Sequence, residues 1–276
     1  KQMTFPMNFA PFQSYLIKLE KSSVKNNNHK NDIKKRVFQY KIPLETPWKF
    51  SITNLNPLRL GTWNLKLNFN NEKEQYLASS KIPVTPKPII DQVEEAKIAI
   101  PIKTKSFFGC PKEITLPSFE AIYTTSFFVD VADQKFWLVI EDEGIKGEWF
   151  VLLNGYTILP KDFVPKRFYS HTNLAYDISN LIKLGKNQIC VCVKVSRSFD
   201  GLLTPIYIFS TAGVFKIDDR WHIGKLPTQG CFGKNLENGI PFYAGHIKYE
   251  KEVQMPSLES GFVEFFIEDN IDQCVS

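Results

Sequence analysis

The chain has 276 residues, 43% of them hydrophobic and 23% charged, and a formal net charge of +5. This composition excludes a disordered or fibrous chain, and the length predicts one large or two modest globular domains. Much of the positive excess lies in the polar stretch of residues 21–36, not on an amphipathic face, so we expect no nucleic-acid partner. No apolar run reaches the roughly 18 residues of a membrane span, and we expect no membrane partner.

Four segments are predicted along the chain. Residues 21–36 have the composition of a linker or exposed loop, and the family resemblance described below implies that residues 1–20 are the tail of a preceding β domain. Residues 37–217 are predicted to form a jelly-roll β-sandwich, and residues 218–276 to begin a second, incomplete one. We therefore expect that both ends are cut from a longer polypeptide.

Short runs of alternating apolar and polar residues, rich in aromatic and β-branched side chains, predict strands along the chain. The predicted strands are residues 37–42, 48–52, 121–129, 136–140, 149–153, 188–195, 205–209, 245–253 and 261–267. Many short strands with little helix indicate an all-β fold, an antiparallel jelly-roll sandwich.

Two local signals predict turns within this pattern. Asn154-Gly155 directly follows an apolar run, and because both residues tolerate positive φ, it predicts a hairpin with a strand after it. The best helical candidate is a single turn within residues 177–185, capped by Asp177 or Ser179 and ended by Gly185. No longer segment shows a helical stripe, so helix is expected to be scarce.

The number and spacing of the cysteines indicate the redox environment in which the protein is found. Five are present, at positions 110, 190, 192, 231 and 274, with no C-x-x-C pair and an odd number for disulfide pairing. This favours a reduced, cytoplasmic protein, while a secreted location fits an internal piece of a longer chain. Cys190 and Cys192 alternate in a predicted strand, so we expect both on one face, pointing inward as small apolar fillers.

Two segments resemble a known family. Phe-Val-Leu-Leu-Asn-Gly-Tyr at 150–156 and Tyr-Asp-Ile-Ser-Asn-Leu-Ile-Lys-Leu-Gly-Lys-Asn-Gln-Ile-Cys-Val at 176–191 resemble galactose-binding-like jelly-roll modules of large bacterial glycoside hydrolases, including the β-galactosidase type. Asn-Pro-Leu-Arg-Leu at 56–60, followed by Trp63, resembles the start of the jelly-roll region in rhamnosidase-like hydrolases, which often have Asp in place of Gly61. Residues 238–249 resemble the entry into a next jelly roll.

The resemblance covers most of residues 37–270 and implies a function. It implies a non-catalytic carbohydrate-binding or architectural region of a bacterial glycoside hydrolase that acts on plant or host glycans. The partners would be carbohydrate and the catalytic domain of the same polypeptide. The alternative is a free-standing lectin-like or adhesion module with no associated hydrolase. Whether the chain is itself an enzyme stays open.

The acidic residues give no clear catalytic centre. A glycosidase needs two carboxyl groups roughly 5 to 9.5 Å apart. The one dense cluster, Glu141-Asp142-Glu143 with Glu148 nearby, is interpreted as a solvated loop. We expect no cofactor; the alternatives left open at this loop are a structural calcium ion and a catalytic pair of carboxylates. The histidines show no H-x-x-x-H pairing for zinc.

Carbohydrate binding needs an aromatic face for the sugar ring and polar groups for its hydroxyls. The sequence predicts a shallow loop site in which Tyr156 or Tyr169 is the platform, and Asn154 and His171 bind hydroxyls. The alternative is that these loops pack against the catalytic domain. The tryptophans are predicted to serve packing, in the core or between domains: Trp63, Trp137, Trp149 and Trp221.

Overall fold

A computed structural model of the chain describes residues 43, 45–70, 75–99, 115–131, 134–231, 233–252 and 254. All of these except Pro43 belong to one compact unit, Leu44–Ser276. The predicted strands 37–42 and 261–267 and the predicted segments 1–20 and 21–36 lie outside the described residues.

The described chain is almost entirely β-structure. The strands are β1 (Trp48–Ile52), β2 (Asn56–Leu60), β3 (Asn64–Asn70), β4 (Gln75–Ser79), β5 (Thr115–Val129), β6 (Trp137–Glu141), β7 (Ile145–Lys146), β8 (Glu148–Leu153), β9 (Tyr156–Ile158), β10 (Val164–Pro165), β11 (Asn173–Asp177), β12 (Gly185–Arg197), β13 (Gly201–Leu202), β14 (Ile206–Ser210), β15 (Gly213–Ile217), β16 (Arg220–Gly224), β17 (Gln229–Gly230) and β18 (Ile247–Glu250). One α-helix, α1 (Ile89–Glu95), and a 3₁₀ turn at Pro160–Asp162 complete the described elements.

Two sheets form a sandwich. The smaller sheet has the order β10-β11-β6-β14-β2, and the larger has the order β15-β16-β5-β12-β8-β9, with β3 joined to β5 and β4 to β3. The pairs are antiparallel apart from a short parallel contact between β16 and β5. Buried side chains of both sheets, including Leu138 and Ile208 of the smaller and Phe127 and Val191 of the larger, share one core. The predicted all-β sandwich is confirmed.

Most predicted strands are present. Residues 48–52 coincide with β1, and the predictions at 121–129, 136–140, 149–153, 188–195, 205–209 and 245–253 overlap β5, β6, β8, β12, β14 and β18. The reason is alternation: in β12, Ile189, Val191 and Val193 are buried and the residues between them are not. Between residues 119 and 217, the described chain contains no helix longer than the 3₁₀ turn.

The two predicted turns also form. Asn154 and Gly155 have φ values of 53° and 88°, and β9 follows them directly. After Asp177, the Ile182 N–H donates to the Ile178 carbonyl at 3.1 Å, which closes one helical turn before β12 begins at Gly185.

The orientation predicted for the two strand cysteines is wrong. Cys190 and Cys192 share a face, as expected, but this is the outer face of the larger sheet, where both are half-buried. The physical reason is the period of two residues: the larger β-branched side chains of Ile189, Val191 and Val193 take the core face, so the cysteines must take the other.

A third, small sheet joins distant parts of the chain. β1 lies between β17 and β18, so residues after 217 pair with residues near 50. The Asn56 amide also donates to the carbonyls of Ala212 and Gly239, both at 2.8 Å. The boundary predicted between residues 217 and 218 stays a prediction.

Candidate functional site

The loop that precedes β11 is held by one buried side chain. Asn173 Oδ1 accepts hydrogen bonds from the backbone N–H groups of Phe168 at 3.3 Å, Tyr169 at 3.2 Å and Ser170 at 3.0 Å. An asparagine that binds its own preceding loop fixes the path of the backbone. The rings of Phe168 and Tyr169 are therefore presented in one direction.

These rings lie against the outer face of the smaller sheet. In β6 and β14, Leu138 and Ile208 point into the core, so the alternate residues Trp137, Tyr207 and Phe209 face outward. Phe209 pairs with Trp137 across the two strands. We call the five rings on this face the outer aromatic cluster: Trp137, Phe168, Tyr169, Tyr207 and Phe209.

Contacts between the rings order the cluster. The Phe168 ring lies 4.7 Å from that of Phe209 and 6.1 Å from that of Trp137. The Tyr169 ring is stacked on Phe209 at 6.2 Å with an interplanar angle of 17°, and it meets Tyr207 at 5.1 Å. Tyr169 nevertheless remains 43% exposed, while Phe209 is only 6% exposed. Tyr169 is thus the outermost ring of the cluster, and it packs on Tyr207 and Phe209.

The Tyr169 hydroxyl is fixed by a carboxylate. It donates to Glu141 Oε1 at 3.2 Å. Burial, the negative charge of Glu141 and the neighbouring Tyr207 all raise the pKa of Tyr169, while the Asn173 amide acts in the opposite direction. The hydroxyl therefore stays protonated at neutral pH and remains a donor to Glu141.

Charged and polar groups surround the cluster. Lys166 Nζ lies 3.3 Å from the centroid of the Trp137 ring, a cation–π contact. His171 is exposed in the turn that follows Tyr169. Lys166 and Glu141 thus contact members of the cluster, and His171 follows Tyr169 by two residues.

The other half of the predicted site lies elsewhere. The Asn154 amide donates to the Leu181 carbonyl at 2.8 Å and to Asn187 Oδ1 at 2.7 Å, and its oxygen accepts from the Gln188 N–H at 3.0 Å. Both amide hydrogens of Asn154 are therefore used within the chain. Its part in sugar binding stays a prediction.

Tyr156 is 51% exposed, and its hydroxyl lies near that of Tyr176. Burial, followed by the neighbouring Tyr156 hydroxyl, raises the pKa of Tyr176. Tyr176 packs on the core side of β11, near its end, whereas Asn173 begins the strand. The three residue steps from Asn173 to Tyr176 span about 10 Å of strand. Tyr169 and His171 lie two residues apart in the loop before β11, whereas Asn154 and Tyr156 lie at the hairpin between β8 and β9 of the larger sheet.

The carboxylates of the acidic loop each have a different partner. Glu141 binds Tyr169, Glu143 forms an ion pair with Lys146 at 3.6 Å, and Glu148 pairs with Lys194 at 3.2 Å. Among the described residues, no group of three or more His, Cys, Asp or Glu side chains is arranged to hold a metal ion. Calcium at this loop stays a prediction.

Sequence reasoning missed Trp137, Tyr207 and Phe209 as surface residues. The sequence of β14, Ile-Tyr-Ile-Phe-Ser, could have shown them, because it is apolar on both faces. Such a pattern indicates a strand covered by other side chains on both sides. The packing predicted for Trp63 is confirmed, since it is 1% exposed in the core, and Trp149 and Trp221 pack half-buried against that core. Trp137 is half-buried on the outer face instead. No helix in the described chain is both long and apolar enough to span a membrane.

Comparisons with known proteins give partial matches. No family model matches the chain, and no curated protein matches it. The chain is similar to a crystal structure of the β-glucuronidase of Ruminococcus gnavus, a glycoside hydrolase, at 16% identity and a TM-score of 0.34, over 59% of this chain and 30% of the enzyme. The same enzyme in complex with D-glucuronic acid matches at 16% identity and a TM-score of 0.33, over 59% of this chain and 31% of the enzyme.

A further structure of the R. gnavus enzyme matches at 15% identity and a TM-score of 0.35, over 65% of this chain and 31% of that one. The chain therefore spans about a third of the length of these enzymes. The activity of those enzymes and the D-glucuronic acid in one of their structures are properties of the enzymes themselves.

Proposed function

We propose that this chain is a non-catalytic carbohydrate-binding β-sandwich that holds a glycan on the outer face of its smaller sheet. The observation that carries the proposal is the ring of Tyr169, which is 43% exposed, supported by Phe209 and fixed at its hydroxyl by Glu141. A rigid, exposed aromatic ring offers a flat apolar surface to the C–H face of a sugar ring.

The groups around Tyr169 supply the polar part of the site. Glu141 Oε1 accepts from Tyr169, which leaves Oε2 to accept hydrogen bonds from sugar hydroxyls. His171, exposed in the same loop, would bind a further sugar hydroxyl. Few and well-placed polar groups beside an apolar surface are typical of ligand sites.

Affinity at this site is expected to be weak. One aromatic platform on an open sheet face buries little surface and excludes little water from its hydrogen bonds. We expect a dissociation constant around the millimolar level, which corresponds to roughly 4 kcal/mol of binding free energy.

The wider setting follows from the sequence resemblance. We propose that the sandwich belongs to a bacterial glycoside hydrolase acting on plant or host glycans, whose catalytic domain lies elsewhere in the polypeptide. In that setting, weak binding positions a glycan near the catalytic domain. A free-standing lectin-like module would use the same surface, and glycosidase activity of the full-length polypeptide distinguishes the two.

The test is a titration of plant and host oligosaccharides into the protein, followed by NMR signals of the aromatic rings. We expect saturable shifts of Tyr169 and of its neighbours Tyr207 and Phe209, and their loss in Tyr169→Ala. Tyr156→Ala is the matched control, because Tyr156 is similarly exposed but belongs to the other half of the predicted site.

Two results would count against this proposal. If no oligosaccharide causes saturable shifts, the chain has only an architectural role. If Tyr156→Ala abolishes binding and Tyr169→Ala does not, the platform is at the Asn154-Gly155 turn. Circular dichroism of both variants confirms that each remains folded.

A further inference from the structure

Arg59, on the outer face of the smaller sheet, has no anionic partner among the described residues. Arg59 lies in β2 between Leu58 and Leu60, both of which are buried in the core, so its side chain faces outward. It is exposed, and it forms no ion pair with any residue in the part of the chain that the structure describes.

The position of Arg59 places it beside the outer aromatic cluster. Arg59 is the cross-strand partner of Tyr207, and such partners have side chains in contact range. Its guanidinium lies close to Gly61, since a Cβ built at Gly61 would be 3.1 Å from Arg59 Nη1. Glycine at position 61 therefore leaves room for the guanidinium.

Tyr169 is linked to two opposite charges, directly to Glu141 and through Tyr207 to Arg59. The Tyr169 ring contacts Tyr207 at 5.1 Å, and Arg59 is the strand neighbour of Tyr207. The Tyr169 hydroxyl binds Glu141 at 3.2 Å. A ligand that covers the Tyr169 ring and extends past Tyr207 would therefore approach Arg59, while Glu141 lies at the Tyr169 hydroxyl.

Resting on the proposed function, we infer that this site takes a sugar that bears an anionic group, a carboxylate or a sulfate, and that Arg59 binds that group. The planar guanidinium donates two parallel hydrogen bonds to such an anion. Glu141 repels the same anion but accepts hydrogen bonds from sugar hydroxyls. The two opposite charges therefore set the orientation of the sugar on Tyr169.

The test compares acidic oligosaccharides with their neutral forms by calorimetry. The probes are an oligogalacturonate trimer and a hyaluronan hexasaccharide, each against its carboxyl-reduced form, and a sulfated chondroitin hexasaccharide against its desulfated, carboxyl-reduced form. Sodium sulfate alone tests for a free anion. We expect the acidic form to bind at least about tenfold more tightly, and the advantage to shrink in 0.5 M salt.

Arg59→Gln should remove this preference and leave binding of the neutral form unchanged. Arg220→Gln is the matched control, since Arg220 is also exposed beside an aromatic ring, 5.7 Å from the Phe128 centroid, but on the larger sheet. A preference that survives in Arg59→Gln overturns the inference.

The outcomes separate the two levels of the proposal. Equal binding of acidic and neutral forms, lost in Tyr169→Ala, overturns the inference about Arg59 and leaves the carbohydrate site in place. Binding of sulfate alone as tightly as the sulfated sugar overturns it in favour of a simple anion site. No binding of any probe overturns the inference together with the carbohydrate-binding proposal.

Discussion

The amide of Asn154 donates a hydrogen bond to Asn187 Oδ1 at 2.7 Å, which ties the hairpin between β8 and β9 to the start of β12. Asn187 is fully buried, and its own amide donates to the carbonyls of Lys183 at 2.7 Å and Gly185 at 3.0 Å. Two asparagines thus satisfy the backbone of two turns that are far apart in sequence. Buried polar groups need such partners.

Replacement of Asn154 should destabilise the fold. Asn154→Ala removes its three hydrogen bonds and places alanine at a φ of 53°, so we expect a loss of about 3 kcal/mol in the free energy of unfolding. Asn154→Gly loses the same bonds without the backbone strain and should cost about 1 kcal/mol less. Urea unfolding measures both. Equal losses for the two variants would show that backbone strain plays no part.

Hairpin chemistry of this kind could be predicted from the sequence because it is local. Asn-Gly after an apolar run specifies the turn without reference to the rest of the chain. The alternation in β12 is also local, and it predicted both the strand and its two faces. The larger side chains of Ile189, Val191 and Val193 take the core face, so the prediction that Cys190 and Cys192 point inward is wrong.

The candidate site could be predicted only in part, for a similar reason. The sequence pointed to Tyr169 and His171 because aromatic and polar residues cluster in that loop. It did not show that Asn173 clamps the loop or that Tyr207 and Phe209 support it, because these contacts depend on how β6, β11 and β14 pair. The helix α1 was missed because seven residues are too few for a clear helical stripe.

A pair of glycines separates backbone strain from steric overlap. Gly155 and Gly201 both have positive φ, 88° and 123°, but a Cβ at Gly155 meets nothing within 4 Å, whereas one at Gly201 would lie 2.8 Å from the Tyr123 hydroxyl. That hydroxyl is buried and donates to Gln92 Oε1 at 2.7 Å.

Gly155→Ala should therefore cost about 1 kcal/mol in the free energy of unfolding, and Gly201→Ala about 3 kcal/mol or more. Thermal and urea unfolding of the two variants provide the comparison. Gly201→Ala in a Tyr123→Phe background, which removes the clashing oxygen, should recover part of the larger loss. No recovery would mean that strain of the backbone alone explains it.

The pH dependence of stability should include a contribution from Cys192. Burial, then Cys190, then Glu120 raises the pKa of the Cys192 thiol to about 11, above the roughly 8.5 of an unfolded cysteine. The folded protein therefore retains a proton that the unfolded chain releases. Stability from this group is complete below about pH 8.5 and is lost as the pH rises toward 11.

Urea unfolding at pH 8 and pH 10 measures this contribution. Tyrosines with raised pKa values, such as Tyr123, act in the same direction but mainly above pH 10, where unfolded tyrosine begins to ionise. The fall in stability between the two pH values should be smaller in Cys192→Ser, because serine does not titrate. Because each protein is compared with itself at the two pH values, any packing cost of the substitution cancels. An unchanged fall would show that Cys192 titrates alike in both states.

Asn173 should control the order of the Tyr169 platform. Its Oδ1 is the acceptor for three consecutive backbone N–H groups, those of Phe168, Tyr169 and Ser170. In Asn173→Ala these donors lose their partner, and we expect hydrogen exchange of all three amides to rise by at least about tenfold, the equivalent of one net hydrogen bond.

Loss of this clamp should also weaken glycan binding, since the Tyr169 ring would no longer be held against Phe209. Ser170→Ala is the control within the same loop: it removes the contacts of Ser170 Oγ with Thr172 but leaves the three bonds to Asn173 intact. We expect normal exchange at residues 168–170 and unchanged binding in that variant. If Asn173→Ala speeds exchange at these amides yet leaves glycan affinity unchanged, the platform does not depend on the order of the loop, and Tyr207 and Phe209 would have to supply the binding surface themselves.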